Sequence, residues 1–279
     1  VPVVRTRDIE TYYELSGQGA PMVLVHGAFV DHRMWDPQVA FFSSRYQVLR
    51  YDLRGHGRTG PSARRQYSVQ LLADDLKALL EALGITRAVI CGLSLGGMVA
   101  QTFAATYPDM VERLILADTA ASATLTLSDK LQTYLLAPQW MMQAMIRVLG
   151  TETFVGLSFK LAVAMRSSAW FGRDPAIAAY VEESMRAVVT AEYLKLYGVL
   201  YGFRLQNLAA IACPTLIVNG QDESKSILRH AEIMSSLIPN AKTVTIPQAG
   251  HVANMENPEV FNHVLSAFLE GQDAAAPLS

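Results

Sequence analysis

The chain has 279 residues, 51% hydrophobic and 17% charged, enough apolar material for one large domain or a domain with an insertion. A formal net charge of -2 with no basic run leaves no electrostatic case for nucleic acid or a membrane surface, and no apolar run reaches bilayer length. The first residues lack the charged-then-apolar order of a signal peptide, and Cys91 and Cys213 sit in apolar, strand-like runs as reduced core residues. A cytoplasmic protein is therefore the expectation.

In chain order, residues 3–7 and 10–15 read as a hairpin, and 21–25 and 47–51 as short apolar strands. Val69, Leu72, Leu76, Leu79, Leu80 and Leu83 recur at helical spacing until Gly84 stops the run. A strand at 87–91, a helix at 95–107 and a strand at 112–117 follow. Downstream come a strand at 214–218, a helix at 226–238, a strand at 241–246 and a helix at 258–269. This alternation predicts an α/β fold, a mostly parallel eight-stranded sheet with helices on both faces.

Residues 120–207 break the rhythm and read as helices only. The chain thus divides into a core, 1–119 with 208–279, and a helical cap insertion, 120–207, over the carboxyl edge of the sheet, where ligands of such sheets bind. Asp174-Pro175 caps one cap helix, with Ile177, Tyr180, Val181, Met185 and Val188 on its apolar face. Trp140, Met141, Ala144, Met145 and Val148 mark the face of another. With Met142, Phe159, Met165, Trp170 and Phe171, these residues suggest an apolar pocket wall, although simple packing within the cap gives the same pattern.

The chemistry centres on Gly92-Leu93-Ser94-Leu95-Gly96, at the joint between a buried strand and a helix. A serine on so tight a turn is exposed as a nucleophile, and it then needs a base and an acid to orient that base. Of six histidines, His251 alone combines a place after a strand, a neighbouring Gly250 and a loop free to reach the sheet edge; His26, at an upstream strand end, does not. For the acid, Asp222 and Glu223 follow the strand ending near Gly220, and Asp118 follows another strand; spacing alone does not choose among them. Ser158, in Gly156-Leu157-Ser158, lacks both the second glycine and a preceding strand, and reads as a packing residue of the cap. No zinc motif and no G-x-G-x-x-G phosphate fingerprint is present.

The strand–turn–helix around Ser94 resembles the nucleophile elbow of the α/β-hydrolases. The resemblance runs from about Val3 to Leu269, through His26-Gly27-Ala28, the 52–57 loop and Gly250-His251, in the order serine, acid, histidine. It is greatest to the small capped esterase, lactonase and perhydrolase branch. The family register favours Glu223 as the acid, a departure because most relatives carry aspartate there. The resemblance further implies oxyanion donors at the backbone N–H groups of Ala28 and Leu95, a pocket shaped by Phe29, loop-holding roles for His26, Asp52, Arg54 and His56, and no metal or cofactor. The expected partner is a small ester or lactone. Perhydrolysis, C–C bond hydrolysis and acyl transfer are alternatives on the same site, and a non-catalytic ligand receptor is an alternative of another class.

Overall fold

Among the described residues, 2–164 and 174–272 of a computed structural model, eight strands form one sheet in the order β1-β2-β4-β3-β5-β6-β7-β8. The strands are β1 (Val3–Thr6), β2 (Ile9–Ser16), β3 (Ala20–Val25), β4 (Tyr46–Tyr51), β5 (Ala88–Leu93), β6 (Val111–Ala117), β7 (Thr215–Gly220) and β8 (Ala241–Ile246). β2 pairs antiparallel with β1 and β4, and all other pairings are parallel. β3, β5, β6 and β7 form the middle of the sheet and are almost wholly buried, which is why they read as continuous apolar runs rather than alternating ones.

Helices cover both faces. On one side, α1 (Asp36–Phe42), α9 (Ala253–Glu256) and α10 (Pro258–Leu269) pack around Trp35, Phe42, Phe261 and Leu265. On the other, α2 (Val69–Ala82), α3 (Leu95–Thr106) and α8 (Lys225–Leu237) close over Leu72, Leu76, Val99, Phe103 and Met234. Cys91 is fully buried and Cys213 half-buried, both as free thiols. No described helix is long and apolar enough to cross a membrane.

Between β6 and β7 the chain forms α4 (Leu127–Leu131), α5 (Gln139–Ala164), α6 (Pro175–Ala187) and α7 (Thr190–Gly202). Gly150, at φ 74° and ψ 158°, breaks α5 into two segments. Asp174 accepts a hydrogen bond from Ala176 N–H and Pro175 is the first residue of α6, the expected start signal. Val181 on α6 and Val188 just past its end are buried, and Ile177, Tyr180 and Met185 pack beside Val181.

The face expected on α5 is displaced. Trp140 is 72% exposed and Val148 83% exposed, and Ala144 faces outward with them. The buried side runs through Ile146, with Met142 and Met145 half-buried against the core. Residues 140, 144 and 148 stand one above another on a helix, so exposure of one exposes all three. Trp140 is therefore not the wall of an enclosed pocket; Met141 is half-buried and Met145 lies on the inward side. Met165, Trp170 and Phe171, and the tail from residue 273, lie outside the described residues.

Candidate active site

Ser94 occupies the turn between β5 and α3 with φ 55° and ψ -116°, a conformation that costs a non-glycine residue free energy. The turn persists because its neighbours are glycines. A Cβ on Gly92 would collide with the Gly96 carbonyl, and one on Gly96 with the backbone of Val25 and His26. The sheet ladder continues past the strand ends: Ser94 N–H donates to Ala117 C=O at 2.9 Å, and Asp118 N–H to Val218 C=O at 2.9 Å. Thr119 Oγ1 donates to Ser94 C=O at 2.6 Å.

His251 follows β8, and Glu223 follows β7. Ser94 Oγ lies 3.0 Å from His251 Nε2, and His251 Nδ1 lies 2.5 Å from Glu223 Oε2. Three residues distant in sequence thus form one hydrogen-bonded row, with Glu223 and His251 buried and Ser94 half-exposed at its open end. Burial opposes ionisation of Glu223. The charge of His251, its hydrogen bond and Ser224 N–H outweigh burial and hold the carboxyl below the usual glutamate range. The loop carrying Glu223 meets the loop carrying His251 closely, since a Cβ on Gly220 would strike the carbonyls of Ala249 and Gly250.

The other two carboxylates stand elsewhere. Asp222 is exposed, with its N–H donating to Ala249 C=O at 2.9 Å. Asp118 is fully buried, and its Oδ1 accepts the Gly220 N–H at 2.8 Å. Burial, followed by the nearby charge of Glu223, pushes the Asp118 carboxyl well above its ordinary range, against the opposing effect of the Gly220 N–H. Ser158 donates to Phe154 C=O at 2.9 Å within α5, a helix-internal bond.

The His26-Gly27-Ala28 turn lies directly beside the serine: a Cβ on Gly27 would stand 3.5 Å from that of Ser94. Among the described residues, the N–H groups of Ala28 and Leu95 have no hydrogen-bond acceptor. The N–H of Phe29 differs, because it donates to His56 Nε2 at 3.0 Å. Phe29 is held at φ 64°, and its buried ring stacks on Tyr193 at 4.1 Å between centroids.

His26 and His56 act as internal struts. His26 Nε2 accepts Leu53 N–H at 2.9 Å, and His56 Nε2 accepts that of Phe29. Desolvation lowers the proton affinity of both, His56 down to about 3. Asp52 accepts the N–H groups of His32 and Arg58, and Arg54 grips Asp75 with two hydrogen bonds of 2.7 and 2.8 Å. These contacts hold the loops after β3 and β4.

Two features were not read from the sequence. Tyr193, Tyr197 and Tyr201 form a ladder on α7 with successive ring separations of 5.6 and 6.0 Å, its first ring on Phe29. Their i, i+4, i+8 spacing is the signal that would have found them. Glu192 on α7 is buried and accepts from Tyr67 Oη at 2.5 Å and from Lys195 Nζ at 2.6 Å, tying the helix to the loop before α2. No local pattern marks that tie, because Tyr67 and Glu192 are 125 positions apart.

The chain is 24% identical over 267 residues to 3-oxoadipate enol-lactonase 2 of Acinetobacter baylyi, covering 95% of this chain and 94% of that protein. Among solved structures it resembles the enol-lactonase of Burkholderia xenovorans, with a TM-score of 0.80 and 26% identity over 96% of this chain and all of that one. It also resembles a thermophilic esterase from Thermogutta terrifontis, with a TM-score of 0.81 and 26% identity, covering 97% and 99% of the two chains. The family model for the α/β hydrolase fold matches residues 20–258, most of the chain, so this protein, with its serine elbow and parallel sheet, belongs to the α/β-hydrolase family.

Proposed function

We propose that the protein is a serine hydrolase that cleaves carboxylic esters or lactones of small to medium, mainly apolar substrates through an acyl-enzyme. The observation that carries this reading is the hydrogen-bonded row from Ser94 Oγ through His251 to Glu223. Ser94 Oγ attacks the carbonyl carbon, and His251 Nε2 takes its proton. The Nδ1–H of His251 donates to Glu223, which fixes the ring tautomer and stabilises the imidazolium as it forms. The Ala28 and Leu95 N–H groups, adjacent to the serine and without internal acceptors, receive the developing oxyanion. His251 then returns the proton to the leaving alkoxide. Water attacks the acyl-enzyme by the same route in reverse, so every proton is carried by this chain or by water.

The lactonase and esterase relatives support a carbonyl–oxygen bond as the target. The segment from α4 to α7 serves as the roof over the site, and Phe29 with the α7 tyrosines supplies an apolar flank. The test is a screen of p-nitrophenyl esters of graded acyl length together with unsubstituted lactones, run on the wild type and on Ser94→Ala. Turnover in the wild type that rises from acetate to butyrate or hexanoate and vanishes in the variant is expected. Turnover undiminished in the variant would overturn the reading.

A further inference from the structure

A second cleft lies where the core loop before α2 meets α5 and α7. It encloses about 560 Å³, and its lining includes Arg65 and Tyr67 from the loop, Gln139, Gln143 and Arg147 from α5, and Lys195 from α7. It shares no residue with the Ser94 row or its flanking turns. Three cations converge on it and no carboxylate lines it, in a chain whose net charge is -2.

The three cations are not equivalent. Lys195 Nζ donates to Glu192 at 2.6 Å and to Ser62 C=O at 2.8 Å, and lies 5.0 Å from the centre of the Tyr67 ring, so its charge is already answered. Glu192 is buried and also bound by Tyr67, so it is not free to turn towards the arginines. Arg65 and Arg147 are exposed and have no ion-pair or hydrogen-bond partner among the described residues. Gln139 likewise has no hydrogen-bond partner among them, and Gln143 donates to Leu194 C=O at 3.2 Å. The cleft therefore offers two uncommitted planar guanidinium forks, one from the core loop and one from α5, with the amides of Gln139 and Gln143 on the same helix as Arg147. A concave, single-sign surface of this kind concentrates counter-ions, and guanidinium groups match carboxylate and phosphate oxygens two at a time.

We propose that this cleft is a binding site for a small dianion carrying carboxylate or phosphate oxygens, bridged between Arg65 of the core and Arg147 of α5. The two walls belong to the sheet-bearing part of the chain and to the helices between β6 and β7, so an occupant ties the two together. Binding at this place is independent of the chemistry assigned to Ser94.

Calorimetric titration of Ser94→Ala protein tests the proposal without any dependence on turnover. Succinate and inorganic phosphate are the two titrants, at constant ionic strength with sodium chloride as the control. Saturable one-to-one binding of at least one titrant, weakened roughly tenfold or more by Arg65→Gln and by Arg147→Gln, is expected. Arg5→Gln, an exposed charge on β1, should leave the affinity unchanged. The tighter titrant names the head group. No saturable heat from either anion, or binding that survives both arginine substitutions, would overturn it.

Discussion

At the carboxyl edge of the sheet, Ser94 and Asp118 are the first residues past β5 and β6, and Glu223 and His251 follow within the loops after β7 and β8. Backbone hydrogen bonds run from each strand end to the next, from Ser94 to Ala117, from Asp118 to Val218, and from Gln221 to Ile246. The helices between β6 and β7 have no such ladder. Apart from a backbone bond from Ala123 N–H to Phe203 C=O, their described ties are made by side chains, through the α7 tyrosines, Glu192 with Tyr67 and the pairing of Tyr180 with Asp31. They also leave Leu127, Tyr134, Leu135, Leu136, Trp140 and Val148 largely exposed. A backbone-specified edge tolerates little change in position. A side-chain-specified roof tolerates change on its outer face and is sensitive only where it touches the core.

The largest expected effect falls on the edge. Ser94→Ala should lower kcat by on the order of 10⁴ or more while circular dichroism and Tm stay near wild type. A serine-directed organophosphonate should label the wild type and not the variant; label on Ser158 would show that the edge is not where the reaction occurs.

Next in size, Glu223→Ala should lower kcat by about 10²–10⁴, with Asp222→Ala close to wild type and Asp118→Asn between them. The comparison turns on distance. Glu223 hydrogen-bonds His251, whereas Asp118 acts on the Gly220 turn that precedes Glu223, and asparagine keeps an oxygen for that N–H. Steady-state kinetics on the three variants decides, and a greater loss in Asp222→Ala would put the row out of register.

Inside the roof, Tyr193→Ala removes a fully buried ring that stacks on Phe29 and touches Phe154 and Tyr197. It should cost about 3 kcal/mol or more in urea unfolding. Trp140→Ala, on the outer face, should change stability by less than about 0.5 kcal/mol and leave kcat/KM near wild type. Equal losses from the two would mean that the outer face of α5 is covered.

Stability should fall on acidification. The folded-state affinity of His56 is depressed to about 3 against about 6.5 in an unfolded chain, so the unfolded state binds the proton first. Its contribution is complete above about pH 6.5 and is lost as pH falls towards about 3, with a slope of up to about 1.4 kcal/mol per pH unit. Glu223, also held low, adds loss in the same direction at more acid pH. Denaturant titrations between pH 7 and 4 should show this slope, and His56→Asn, which retains an acceptor for Phe29 N–H, should flatten it. An unchanged slope in that variant would assign the acid sensitivity to other groups.

The strands and core helices were legible because their signals are local. Continuous apolar runs mark β3, β5, β6 and β7, helical spacing marks α2, and glycines flank Ser94 where two backbones approach too closely for a Cβ. The expected cap face on α6 agrees with the packing of Val181 and Val188, since a helix with one partner shows one apolar stripe. On α5 the same reasoning pointed to Trp140 and Val148, which are exposed. That helix carries apolar residues around much of its circumference, so periodicity names no single buried side.

The sequence by itself determined the order of strands and helices, the elbow at Ser94 and the histidine after the last strand, because each follows from steric limits within a few residues. Which carboxylate meets His251 needed the tertiary structure. Asp118, Asp222 and Glu223 all follow strand ends, and only the meeting of the Gly220 and Gly250 turns brings Glu223 to His251, buries Asp118 and leaves Asp222 in solvent. The stacking of Tyr193 on Phe29 and the junction of Glu192 with Tyr67 were likewise decided there. A contact between residues more than a hundred positions apart has no local pattern to announce it, and it forms only once the packed sheet has set the distance between the two segments.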